Sequence, residues 1–143
     1  MDVPVEALAR AITDFESYPK FLPEVVAAER VKGTPDTTPR VVFELEIVKR
    51  FRYTLEFAVN GQKEISWRLV DSDFFKTNQG RWVLKPEGDG KTHVTYDVEV
   101  NFGFLVPGWI TKKLTEVNLP KMFDSFEGHA RTLAAGRSGK KGK

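Results

Sequence analysis

Arg40-Val41-Val42-Phe43-Glu44-Leu45-Glu46-Ile47-Val48-Lys49-Arg50-Phe51-Arg52-Tyr53-Thr54-Leu55-Glu56-Phe57-Ala58-Val59 decides the fold. From Arg40 to Ile47, Val41, Phe43, Leu45 and Ile47 alternate with Val42, Glu44 and Glu46. From Phe51 to Val59, Phe51, Tyr53, Leu55, Phe57 and Val59 alternate with Arg52, Thr54, Glu56 and Ala58. Successive side chains of a strand point to opposite faces, so a period of two gives each segment one apolar and one polar face. Lys49-Arg50 reads as a tight turn between them. The same alternation recurs in Ile65, Trp67 and Leu69, in Trp82 and Leu84, and in Val94, Tyr96, Val98, Val100 and Phe102. Val25 to Val31 is a sixth candidate with a weaker pattern. Gly33-Thr34-Pro35-Asp36, Asn60-Gly61 and Glu87-Gly88-Asp89-Gly90 carry turn chemistry between the runs. These segments predict an antiparallel sheet, wet on one side. Its wet face holds Glu44, Glu46 and Glu56 with Arg52, Arg68, Arg81 and Lys85, charges suited to setting strand register.

Helical spacing frames the sheet. Val5, Leu8, Ala9 and Ile12 predict a helix over Pro4–Ala11, with Pro4 in its first turn. Asp14 to Pro23 predicts a second short piece, capped by Asp14 and cut by Pro19 and Pro23, with Tyr18, Phe21 and Leu22 as its apolar face. From Pro107 to Ala135, Ile110, Leu114, Val117, Leu119, Met122, Phe123, Phe126, Ala130 and Leu133 form a greasy stripe that Pro120 kinks or splits. Asp71–Asn78 reads as a loop and a candidate mobile rim, with Phe74 and Phe75 as apolar contacts for ligand or membrane; Phe104, Leu105, Val106 and Trp109 are a second candidate lip.

The totals narrow the function. The 143 residues suit one domain, which we place at 1–135, followed by a disordered basic tail at 136–143. A net charge of +2 is too small to argue for nucleic acid, and DNA is not expected as a partner. There is no Cys, so disulfides, thiolate nucleophiles and Cys-ligated metals are excluded; two distant His give no metal-ligand spacing. No metal and no cofactor is expected. No phosphate loop, dinucleotide fingerprint or Gly-x-Ser-x-Gly is found. The start lacks a basic region followed by an apolar run, so no signal peptide is expected and the location is read as cytoplasmic.

The apolar face of such a sheet needs cover, and only the long terminal helix supplies enough area, at about 25 cal/mol per Å² of apolar surface buried. One helix touches a curved sheet along a stripe, so the middle is able to stay hollow. Candidate cavity residues are Phe43, Leu45, Tyr53, Leu55, Phe57, Trp67, Trp82, Tyr96 and Val98 from the sheet, and Ile110, Leu114, Met122 and Phe126 from the helix. Tyr53, Trp67, Trp82 and Tyr96 bring polar handles into this apolar setting, either to orient a ligand or to bond backbone. His129 stands beside Phe126 and Ala130 and would act as a base only with a partner such as Asp124 or Glu127; His93 reads as exposed.

Asp2-Val3-Pro4-Val5-Glu6-Ala7-Leu8, Asp14, Tyr18-Pro19-Lys20-Phe21-Leu22-Pro23, Gly80-Arg81-Trp82-Val83-Leu84, the strand Thr95 to Phe102 and Pro107-Gly108-Trp109-Ile110 together resemble the polyketide cyclase/dehydrase group of the START and Bet v 1-like (SRPBCC) superfamily, which includes Coq10-type coenzyme Q-binding and RatA-type ribosome-association proteins. The resemblance implies an α+β helix-grip fold: a curved antiparallel sheet around a long C-terminal helix, with an apolar cavity between them. Two departures stand out. Glu24-Val25 occupies the place where Coq10-type proteins tend to carry Trp-Cys, and the strand that precedes Asp-x-Pro in the family is missing here.

Three functions follow as expectations. The first is a non-enzymatic carrier or chaperone for a small hydrophobic ligand (lipid-, quinone- or polyketide-like), with membrane-surface contact at the apolar lips. The second is a cyclase or dehydratase, which needs an inward polar group. The third is a ribosome-interacting protein using the basic tail with Lys112, Lys113 and Lys121. The nearly all-hydrocarbon inner rows favour the first, and a non-enzyme.

Overall fold

The structure, a computed structural model, describes residues 1–46, 50–72, 75–102 and 119–141. Six strands follow in chain order: β1 (Val25–Arg30), β2 (Arg40–Glu46), β3 (Arg50–Asn60), β4 (Glu64–Ser72), β5 (Phe75–Gly88) and β6 (Lys91–Phe102). Each pairs antiparallel with its sequence neighbour, in the order β1-β2-β3-β4-β5-β6. All five alternating segments form strands, and so does the Val25 candidate. Bulges at Val25/Ala27, Thr54/Leu55, Phe75/Thr77 and Pro86/Gly88 break the register, and extra residues of this kind add bend and twist. The sheet curves around the terminal helix in the helix-grip manner.

The wet face is a charge ladder in register. Arg40 Nε and Arg68 Nη2 both reach Glu56, at 2.8 and 2.9 Å, and Arg40 and Arg68 stand directly across from it on β2 and β4. Arg81 Nε meets Asp97, its partner on β6, at 3.1 Å. Side-chain hydrogen bonds from Arg40, then Arg68, hold the Glu56 carboxyl below its ordinary range.

Helix α1 (Val5–Thr13) buries Ala7, Leu8, Ala9, Ala11 and Ile12. Pro4 is its N-cap rather than its first helical residue, and the Pro4 carbonyl accepts from Leu8 N–H at 3.0 Å. A 3₁₀ turn (Phe15–Ser17) leads into α2 (Tyr18–Phe21). Asp14 precedes that turn but makes no cap hydrogen bond, because its carboxylate is engaged elsewhere. The terminal helix α3 is described over Leu119–Lys141 and continues past Ala135, where the sequence places its end. It packs mainly on α1, with Phe126 and Ala130 fully enclosed, and meets the sheet through aromatic rings. Ile110, Leu114 and the expected lip at 104–109 lie outside the described residues, as do Ile47 and Phe74.

Two expectations are corrected. Asp71–Asn78 is not a loop: β4 runs to Ser72 and β5 starts at Phe75, with Thr77 and Asn78 paired to Asn101 and Val100. The alternation fails there because the inward positions hold Asn78 and Gly80, neither of them apolar. Arg50, read as part of a turn, opens β3 opposite Glu46.

Beside β6, Met1 N donates to Thr92 O (2.8 Å) and Thr92 N donates to Met1 O (2.9 Å), a single antiparallel rung. Thr92 is fully buried and its Oγ1 donates to Val3 O at 2.7 Å. Among the described residues no strand continues along this edge.

Candidate functional site

A cavity of about 260 Å³ lies between the inner face of the sheet and α3. Strand alternation sets its wall. Phe43 and Leu45 of β2, Tyr53, Leu55 and Phe57 of β3, Trp67 of β4, Trp82 of β5 and Tyr96 and Val98 of β6 line it, with Met122 and Phe126 from α3. These are all of the sequence-predicted cavity residues that the structure describes. It adds Tyr18, Leu22, Glu24 and Val25 from the α2–β1 passage, Asn78 from β5, Val100 from β6 and Leu119 from α3.

Aromatic rings hold the helix over the sheet without filling the space beneath it. Phe126 meets Tyr18, Phe21 and Trp82 edge-on, at centroid distances of 5.3, 5.2 and 5.1 Å. Phe123 meets Tyr96 at 5.2 Å and Trp82 at 5.8 Å, both nearly perpendicular. Edge-to-face pairs of this kind are favoured by the ring quadrupoles and add about 0.5–1.5 kcal/mol each beyond area burial. Val98 and Val100 line the cavity yet are 43% and 42% exposed, so its wall is open to the outside at that end of β6.

The polar groups are few. Tyr18 Oη donates to the Ile12 carbonyl at 2.5 Å, tying the α2 region to the end of α1. Trp67 Nε1 donates to Asn78 Oδ1 at 2.9 Å. Burial pushes the phenols of Tyr18, Tyr53 and Tyr96 above their ordinary value, and the neighbouring Tyr96 adds to the effect at Tyr18 and Tyr53. All three are therefore neutral at physiological pH. Glu24 is the one carboxylate in the described lining, which holds no Arg, Lys or His.

His129 faces away from the cavity lining. Its Nε2 lies 2.9 Å from Asp14 Oδ2, and its ring stacks on Phe21 with centroids 4.2 Å apart at 14°. Its partner is neither Asp124 nor Glu127, and the pair fastens α3 to the α1–α2 junction. His93 is exposed, as expected. No group of His, Asp and Glu among the described residues is placed to hold a metal, and no described helix is long and apolar enough to cross a membrane.

Asn78 is the residue that sequence reasoning missed with most consequence. It belongs to a stretch of polar residues read as a loop, and only its pairing opposite Val100 turns it inward. Val100 carried the alternation signal and was available from it.

Comparison with known proteins agrees with this architecture. Residues 1–127 match the family described as polyketide cyclase / dehydrase and lipid transport. A START superfamily protein from Mycobacterium smegmatis superposes with a TM-score of 0.76 at 23% identity, over 93% of both chains. The Zhui aromatase/cyclase from Streptomyces sp. R1128 gives 0.79 at 13% identity, over 92% of this chain and 88% of that one. Human STARD10 gives 0.70 at 14% identity, over 96% of this chain and 62% of that one. At these identities the likeness is one of fold. Comparison with curated protein sequences gives no match. With the family match spanning most of its length and the helix-grip fold around an apolar cavity, the chain belongs to the polyketide cyclase/dehydrase and lipid transport family.

Proposed function

We propose that this protein holds a small hydrophobic molecule in its cavity and carries or shields it, rather than transforming it. The lining supports this reading. It is aromatic and aliphatic, its tyrosines are neutral, and the described part offers no imidazole or amine to pair with Glu24 as base and acid. The open end beside Val98 and Val100 is the entry route, and residues 1–135 form the binding unit.

The test is native mass spectrometry of protein purified from its own host, followed by organic extraction. A co-purifying apolar molecule, displaced in a Leu45→Trp variant that fills the cavity, is the expected result. Empty protein that converts an aromatic polyketide substrate favours a cyclase instead. Protein that emerges empty and whose Trp67 and Trp82 emission no neutral aromatic probe alters overturns the cavity reading altogether.

A further inference from the structure

The few polar atoms facing the cavity are not arranged at random. An indole N–H is a donor only, so the bond from Trp67 Nε1 requires the oxygen of the Asn78 amide on that side. The amide is thereby oriented, with its Nδ2 donors turned from the indole. Asn78 lines the cavity and is buried, and Nδ2 has no partner among the described residues. Tyr53 Oη and Tyr96 Oη have none either, in contrast to Tyr18 Oη. Yet every described side-chain nitrogen or oxygen sealed from solvent has a hydrogen-bond partner. These three atoms are therefore not sealed, and the cavity is the space their residues line.

They also stand close together. The Tyr96 ring lies 5.6 Å from the Trp67 ring that holds Asn78, and the Tyr96 phenol acts electrostatically on that of Tyr53. Burial keeps both phenols protonated, so both remain donors. No cation in the described lining would balance an anionic head, and Glu24 would repel one.

We infer that Tyr53, Asn78 and Tyr96 form a donor station for the oxygen of a neutral apolar ligand, a carbonyl in a hydrocarbon or aromatic frame, and that it selects this class over pure hydrocarbons and over carboxylates. The inference rests on the proposed function. A hydrocarbon would strip water from these donors and return nothing, whereas a carbonyl oxygen accepts from two of them. Neutral hydrogen bonds of this kind are each worth about five- to tenfold in affinity.

Three probes of one shape test it: fluorene, 9-fluorenone and fluorene-9-carboxylate, titrated against Trp emission and by calorimetry. Fluorenone is expected to bind at least about tenfold tighter than fluorene, with the carboxylate weakest. Tyr53→Phe/Tyr96→Phe keeps the rings and removes the hydroxyls. It should cut the preference for fluorenone over fluorene by about five- to tenfold, leaving the share that the Asn78 amide supplies. Asn78→Leu, used where its melting shows a native fold, should weaken fluorenone alone. Equal binding of fluorene and fluorenone to the unaltered protein, or a preference that the double variant leaves undiminished, overturns the station but leaves the cavity function standing. Failure of all three probes to bind overturns both.

Discussion

Gly80→Ala should be among the most damaging single-methyl additions to this protein. Gly80 lies inward on β5, directly across from Trp67 on β4 and Val98 on β6. A Cβ placed there would sit 2.2 Å from the Asp97 carbonyl oxygen, and 2.7 and 2.9 Å from Trp67 ring atoms Cζ2 and Cη2. The shortfall against the carbonyl exceeds 1 Å, since ordinary contact begins near 3.4 Å. That oxygen belongs to the backbone of a strand paired with β5 along most of its length, so it has no flexible end to move. The indole is just as confined, by Phe57, Tyr96 and its bond to Asn78. Overpacking a well-filled interior costs about 1–3 kcal/mol and occasionally more, and a backbone clash puts this case near the top, at about 3 kcal/mol. For a chain of this size that corresponds to a fall in melting temperature of about 10 °C. Gly128→Ala on α3 is the contrast, because nothing lies within 4 Å of its Cβ. There the usual helix preference of Ala over Gly should raise stability by about 0.5–1 kcal/mol. Differential scanning calorimetry reads both. A Gly80→Ala melting temperature within about 2 °C of the unaltered protein would refute the view that Trp67 is packed over a position which only glycine can occupy.

Other outcomes follow from single bonds. Thr92→Val keeps the shape of a fully buried side chain but removes the donor to Val3 O, and should cost about 1–2 kcal/mol in urea unfolding, with Thr92→Ser recovering most of it. Glu56 has a depressed folded-state pKa, so its contribution is present at neutral pH and is lost as pH falls through that value. The stability gap between the unaltered protein and Glu56→Gln should therefore narrow on acidification, and a gap constant from neutral pH to below the carboxylate range would show the Arg40–Glu56–Arg68 cluster to be inert.

What the sequence made legible was what repeats. Val41 to Glu46, Phe51 to Val59 and Val94 to Phe102 announce strands through their alternation, and that alternation also names most of the cavity wall, because a wall is one face of a sheet. The start of β5 was hidden, since Asn78 and Gly80 put an amide and a bare backbone where a period-two reading looks for hydrocarbon. Those two residues matter to the interior for the same reason that they escape the pattern: one orients a polar group and the other gives up its volume to Trp67. The Asp14–His129 contact was out of reach for another cause. Its partners are 115 positions apart, and no local period connects them; only the docking of α3 on α1 does.

The rung between Met1 and Thr92 also fixes a direction. In an antiparallel ladder, a residue joined ahead of Met1 falls opposite His93, and each earlier one advances a further step toward Val98 and Val100. Peptide fused at the amino end is thus steered to the doorway of the chamber. Purification tags are best kept off the amino end if uptake of a guest is to be measured unobstructed.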